Sequence, residues 1–167
     1  AISACTPEAV TNGPEEVPAT TATLPNPQVH VTPAPDLDNA ATGFMRAWQD
    51  EDYAEMYGWL ASEVRGSISE EDFITRYREA SVALTLRLEN GIDYENLQSI
   101  TNPDIAVASF NVNYHTYLFG TLSRQIDLNF IRESGAWRLD WDESAILPEL
   151  AGGNTLEIVR QSTARGA

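Results

Sequence analysis

Lysine is missing from this chain of 167 residues: ten arginines are its only basic groups apart from two histidines, against 25 acids, for a net charge of -15. Its absence rules out, within these residues, Schiff-base chemistry, a phosphate-loop lysine and a Ser-x-x-Lys nucleophile. The excess of negative charge opposes binding to nucleic acid and to anionic lipid headgroups, both of which need positive charge on the protein. Cysteine is almost missing too. The single Cys5 permits neither an intrachain disulfide nor a cysteine metal cluster. No apolar run reaches the roughly 18 residues that a membrane-spanning helix needs.

What is present divides at about residue 36. Residues 1 to 36 hold seven of the nine prolines and six threonines, with no Phe, Trp or Tyr and no arginine. Proline fixes its own φ and biases the residue before it toward extended backbone, so this segment reads as a polyproline-like or disordered spacer. Its four acids account for -4 of the total charge and leave -11 for residues 37 to 167. The length that remains suits one domain with a real core.

Helical periodicity then sets in. Leu37, Ala41, Phe44, Met45 and Trp48 share one face, with Asp38 as the expected N-cap. Tyr53, Met56, Tyr57 and Leu60 predict a second, short helix capped by Asp50 or Asp52. Ser69, followed three residues later by Asp72, forms a variant capping box that opens a third, with Phe73, Ile74, Tyr77 and Ala80 as its buried stripe. Near Val82 the period changes to two, and Leu84, Leu86 and Leu88 predict a strand. Gly91 to Asp104 reads as a turn-rich connection. Strands follow over Ile105 to Phe119, Leu122 to Arg132 and Trp137 to Trp141, with turns at Gly120-Thr121 and Ser134-Gly135. Helices first and an antiparallel meander after them predict an α+β fold with the helices on one face of the sheet.

The strands divide by parity, because successive side chains point to opposite faces. Phe110, Val112, Tyr114, Leu118, Ile126, Leu128 and Phe130 make one face apolar. Asn111, Asn113, His115, Tyr117, Asp127 and Asn129 make the other polar. His115 and Asp127, on facing strands, are the one pair to consider as base and acid, and with Tyr117 they are the candidate ligand-binding residues. A polar surface or a contact with another domain explains the same residues without chemistry, since a lone histidine needs an orienting partner and a pocket. The acidic runs at Asp50-Glu51-Asp52 and Asp140 to Glu143 lack the glycine-turned loop of six to eight oxygens that calcium needs. They read as helix caps and solvated edges. Trp137, Leu139 and Trp141 read as a seal on the core, with a sugar-stacking role as the alternative. No cofactor and no metal is expected.

Two stretches carry a resemblance. Phe44 to Tyr57 (FMRAWQDEDYAEMY) and Trp137 to Leu150 (WRLDWDESAILPEL) resemble the nuclear-transport-factor-2-like N-terminal domain of penicillin-binding proteins of the methicillin-resistance type. The resemblance covers about residues 37 to 150, and between the two stretches it holds only in pattern. It implies a cone-shaped fold of about three helices packed on a curved antiparallel sheet. It also implies a non-catalytic pedestal in a class B penicillin-binding protein, a peptidoglycan D,D-transpeptidase whose nucleophilic serine lies elsewhere. Arg165-Gly166 matches the opening of that family's next element, so residues 151 to 167 are expected to lead into downstream domains of the same polypeptide. Ile2-Ser3-Ala4-Cys5 resembles the end of a bacterial lipoprotein signal. This implies a lipidated Cys5 tethering the protein outside the cytoplasmic membrane, whereas an incidental surface thiol is the plain alternative. The expected partners are the downstream domains and, beyond them, peptidoglycan or cell-wall proteins. The rival readings are a small-ligand binder of the same fold and a protein-interaction module of a secreted lipoprotein.

Overall fold

The computed structural model describes residues 36–157 and 159. The Pro/Thr-rich spacer, Cys5 and Arg165-Gly166 lie outside the described residues. Helix α1 (Leu37–Gln49) is capped by Asp36, whose carboxylate accepts from the amides of Asp38 and Asn39 at 3.0 and 3.3 Å. The expected cap, Asp38, sits in the first turn instead, where a negative charge complements the positive end of the helix dipole. Asp52 caps α2 (Tyr53–Gly58) and Ser69 caps α4 (Glu70–Ala83), both as the sequence predicts. Between them stands a fourth helix, α3 (Ser62–Ser67), that periodicity misses because it buries only Val64.

The sheet has four antiparallel strands in the order β1 (Ile92–Thr101), β2 (Ile105–His115), β3 (Thr121–Glu133) and β4 (Ala136–Leu139). The even residues of β2 and β3 from Ala106 to Tyr114 and from Ile126 to Phe130 are buried against the helices. There Phe73 and Tyr77 of α4, Trp48 of α1 and Tyr114 of β2 meet edge to face or tilted, with Trp48 and Tyr77 ring centroids 5.3 Å apart. Such pairs add roughly 0.5–1.5 kcal/mol each beyond the area they bury. The helices are also bonded to the free edge of β4. Leu139 donates to Trp59 O at 2.9 Å and accepts from Ala61 N at 2.8 Å, a parallel bridge between Leu60 and Leu139. Lacking a side-chain cap of its own, α3 starts on a carboxylate from the sheet: Glu133 accepts from the amide and hydroxyl of Ser62.

Three predicted elements are corrected. The strand expected at Leu84 to Leu88 is not formed: α4 continues to Ala83 and a turn follows, with Thr85 and Asn90 at φ 53° and 54°. Leu86 alone pairs, with Thr116. The supposed connection from Gly91 to Asp104 is largely strand β1, an edge strand that is mostly exposed and so has no apolar face for a sequence pattern to display. The third correction is at β2, which ends at His115 rather than Phe119; Leu118, read as part of the apolar face, lies in the hairpin loop and is exposed. At the other end of the meander Trp141 falls beyond β4. It packs on α4, its indole N–H donating to the Tyr77 hydroxyl at 3.0 Å.

The turn before β1 depends on Gly91. A Cβ there would stand 2.6 Å from the carbonyl oxygen of Arg87, a backbone atom that cannot step aside, while Gly91 O accepts the His115 amide. Gly91→Ala is therefore expected to cost about 1–3 kcal/mol in denaturant unfolding. A variant as stable as the parent would show that this turn has room to adjust.

Candidate functional site

Across the outer face of the sheet the odd side chains form a polar ladder. His115 on β2 reaches both neighbouring strands: its Nε2 is 2.7 Å from Asp93 Oδ2 on β1, and its Nδ1 is 3.1 Å from Thr121 Oγ1 on β3. Asn113 donates to the other oxygen of Asp93 at 2.7 Å and accepts from Ser123 at 2.5 Å. The register explains the network, because Asp93 pairs with Asn113, Asn113 with Ser123, and His115 with Thr121. The His115 hydrogen bond, followed by that of Asn113, holds the Asp93 carboxyl below its ordinary value, against a smaller opposing effect of burial.

The sequence pairing of His115 with Asp127 is not what the fold assembles. Asp127 stands opposite Ser109, about 20 Å along the strand at roughly 3.3 Å per residue, and accepts from that serine at 2.6 Å. Tyr117 lies past the end of β2 in the hairpin loop, exposed. An acid, an imidazole and a hydroxyl do stand in line at Asp93, His115 and Thr121. They lie on a sheet surface, the histidine side chain 25% and the aspartate 47% exposed, and what the arrangement does is tie three strands together. Asp93 escaped the sequence reading because it falls in the segment taken for a connection. Its odd number, once β1 is a strand in register with β2, is the signal that places it on this face.

The face turned to the helices is chemically quieter. Tyr114 donates its hydroxyl to Ile146 O at 2.6 Å, and Tyr77 accepts from Trp141. Burial pushes both phenols well above the usual tyrosine range. Among the described residues every buried side-chain polar atom has a partner. An open groove of about 440 Å³ lies between the C-terminal ends of α1 and α4 and the turn that leads into β1. Trp48, Tyr53, Arg78 and Arg87 line it, with the Arg78 guanidinium 5.9 Å from the centre of the Tyr53 ring. Neither His115 nor Asp127 lines it. The acidic runs act as caps: Asp52 accepts from the Glu55 amide and Asp142 from the Ser144 amide. Among the described residues no three His, Cys, Asp or Glu side chains converge as a metal group would, and no helix is long and apolar enough to cross a membrane.

Four helices on one face of an antiparallel meander, with an edge-paired fourth strand, define an α+β fold of the nuclear-transport-factor-2-like type, and the sequence profile of one such family matches residues 37–154. The chain belongs to that family, the NTF2-like N-terminal transpeptidase domain. It is 28% identical over 128 residues to Penicillin-binding protein 3 of Bacillus subtilis (strain 168), a match that takes in 74% of this chain and 19% of that protein. The chain thus spans about a fifth of that relative's length. Among solved structures, a SEC-C motif containing protein from Rhodopseudomonas palustris shares 14% identity, with 57% of this chain and 67% of that one covered and a TM-score of 0.41. A function unknown protein from Mycobacterium tuberculosis shares 13%, with coverage of 61% and 64% and a TM-score of 0.42. Likenesses this slight say nothing about function.

The Asp93 and His115 pair makes a pH prediction. Because the carboxyl is lowered on folding, its contribution to stability is complete above the ordinary aspartate value and is lost as pH falls through its folded value. In His115→Ala the Asp93 midpoint, followed by carboxyl carbon NMR, is expected to move up toward the ordinary value. A midpoint that stays in place would remove His115 as the principal cause.

Proposed function

We propose that this chain is a non-catalytic pedestal in a class B penicillin-binding protein, holding a downstream D,D-transpeptidase domain out from the membrane. The observation that carries the reading is the family match over residues 37–154, joined to a relative of which the chain spans only 19%. The missing lysine supports it, since a Ser-x-x-Lys centre has to lie in another part of the polypeptide. So does the interior, where aromatic and aliphatic side chains take up the space between helices and sheet and the two buried phenols are already hydrogen-bonded. The Pro/Thr-rich spacer would serve as a leash. About 30 residues of polyproline-like chain reach up to roughly 90 Å at about 3.1 Å per residue. Anchoring would come through a lipidated Cys5, and the polypeptide would lie outside the cytoplasmic membrane, with peptidoglycan or cell-wall proteins as its surroundings.

Labelling with a fluorescent penicillin tests the division of labour. Chain 1–167 is expected to stay unlabelled while the longer polypeptide from the same gene is labelled; a covalent adduct on the short chain would end the assignment.

The groove beside Trp48 and Arg78 favours one second reading, a small-ligand binder, because it combines aromatic walls with two guanidinium groups. On that reading an amphipathic carboxylate such as a medium-chain fatty acid raises the melting temperature of the chain, and Arg78→Ala abolishes the rise. No shift at millimolar ligand would dispose of it.

A further inference from the structure

One end of the domain is built as an apolar platform. Tyr117, Leu118 and Phe119 follow one another in the β2–β3 loop, 65%, 63% and 51% exposed. Val82 at the end of α4 and Leu88 in the following turn are 75% and 85% exposed. These residues share one region because the turn pairs with the loop: Arg87 N donates to His115 O and Tyr117 N to Thr85 O, at 2.9 and 2.8 Å. The loop is also fixed from within. Thr116, the one polar residue among the described ones with a fully buried side chain, donates to Gly120 O and accepts from Phe119 N, each at 2.8 Å. Three consecutive large apolar side chains on a braced loop differ from the isolated exposed leucines that any surface carries. Tyrosine and phenylalanine beside aliphatic residues are the composition of an interface core.

Where the backbone goes next suggests what covers the platform. Beyond β4 it runs back along β3 toward this same end. Asp140 N bonds to Asn129 O, Ile146 O accepts from Tyr114, and Glu149 pairs with Arg124 near the start of β3. Asn154, Thr155 and Leu156 then lie beside Ala80 and Ala83, in the last turns of α4. The backbone at Leu156 thus lies beside the C-terminal half of α4, at the end of the sheet where β3 starts. We infer that the platform of Val82, Leu88, Tyr117, Leu118 and Phe119 is the seat of the polypeptide that follows this domain, which packs an apolar surface onto it and so fixes the direction in which the domain holds its neighbour.

This rests on the reading above that a longer polypeptide carries the domain. A bilayer is the less suitable occupant, because a chain of net charge -15 is repelled by anionic headgroups. Hydrogen exchange on chain 1–167 and on the longer polypeptide from the same gene provides the test. Amides of residues 85 to 88 and 117 to 120 are expected to exchange at least about tenfold more slowly in the longer protein. The double substitution Leu118→Ser and Phe119→Ser is expected to reverse this, while Ile100→Ser, exposed on β1 toward the other end of the sheet, leaves it in place. Equal exchange in the two proteins would overturn the inference. So would protection of the short chain that grows with its own concentration, which means a second copy, or protection that appears only with phosphatidylglycerol vesicles. Penicillin labelling of the longer protein, run alongside, reports on the transpeptidase reading separately, so the failure of either is visible without the other.

Discussion

The fold depends on the period-two division of β2 and β3. Burying Ala106, Ala108, Phe110, Val112 and Tyr114, together with Ile126, Leu128 and Phe130, gives the helices a large apolar floor. A slip of one residue in either strand would send that strand's share of these to water and bring its polar residues inward, Asn113 and His115 in β2 or Asp127 in β3, so one register is strongly specified. The helices answer with aromatic side chains: Phe73 and Tyr77 of α4 lie between Trp48, Tyr57 and Trp141. The same division has a second effect. It gathers Ser109, Asn111, Asn113, His115, Asp127 and Asn129 on the opposite face, where cross-strand hydrogen bonds hold edge strand β1 to the sheet through Asp93.

How much of this could be read in advance depends on whether an element buries a face of its own. Helices α1, α2 and α4 could be read from their apolar stripes and caps, and β3 and the buried part of β2 from alternation. Helix α3 could not, since a six-residue helix burying Val64 alone leaves no repeat. Leu84, Leu86 and Leu88 alternate like a strand, yet α4 runs on to Ala83 and the turn after it is set by Thr85 and Asn90 at positive φ. In β1 the cause is reversed. The strand exists through its backbone bonds to β2 and contains a bulge between Glu95 and Gln98, with Asn96 at φ 58°. A strand held by its partner rather than by its own side chains reads as a loop.

The candidate site inherited those errors. His115 is the one histidine among the described residues, and with β1 unrecognised as a strand its only acidic candidate across the hairpin is Asp127. With β1 in place, Asp93 lies opposite Asn113, beside His115, and the acid–imidazole contact follows from the register. Asp127 keeps the polar character that parity gives it and goes to Ser109. Tyr117 belongs to the polar face only if β2 continues past His115. The strand stops at His115, just before a buried threonine whose hydroxyl bonds across the loop to Phe119 and Gly120, and from there parity no longer says which way a side chain faces.

That stop is what distinguishes the two ends of the sheet. Where β1 meets β2, Ile100 and Ile105 are exposed one at a time on an edge, which a soluble surface tolerates without a partner. Where β2 meets β3, the Thr116 hydroxyl donates to Gly120 O and accepts from Phe119 N, bracing a loop that leaves Tyr117, Leu118 and Phe119 exposed. A loop with no need to present those side chains gains nothing from this, because folding Leu118 and Phe119 back over Leu86 would remove apolar area from water at about 25 cal/mol per Å². The braced conformation forgoes that gain. The backbone after β4 travels toward this same end, where Glu149 pairs with Arg124 and residues 154 to 156 lie beside the C-terminal half of α4. The exposed hairpin side chains and the departing backbone thus lie at one end of the domain, which is the arrangement that the proposed seat for a following segment requires.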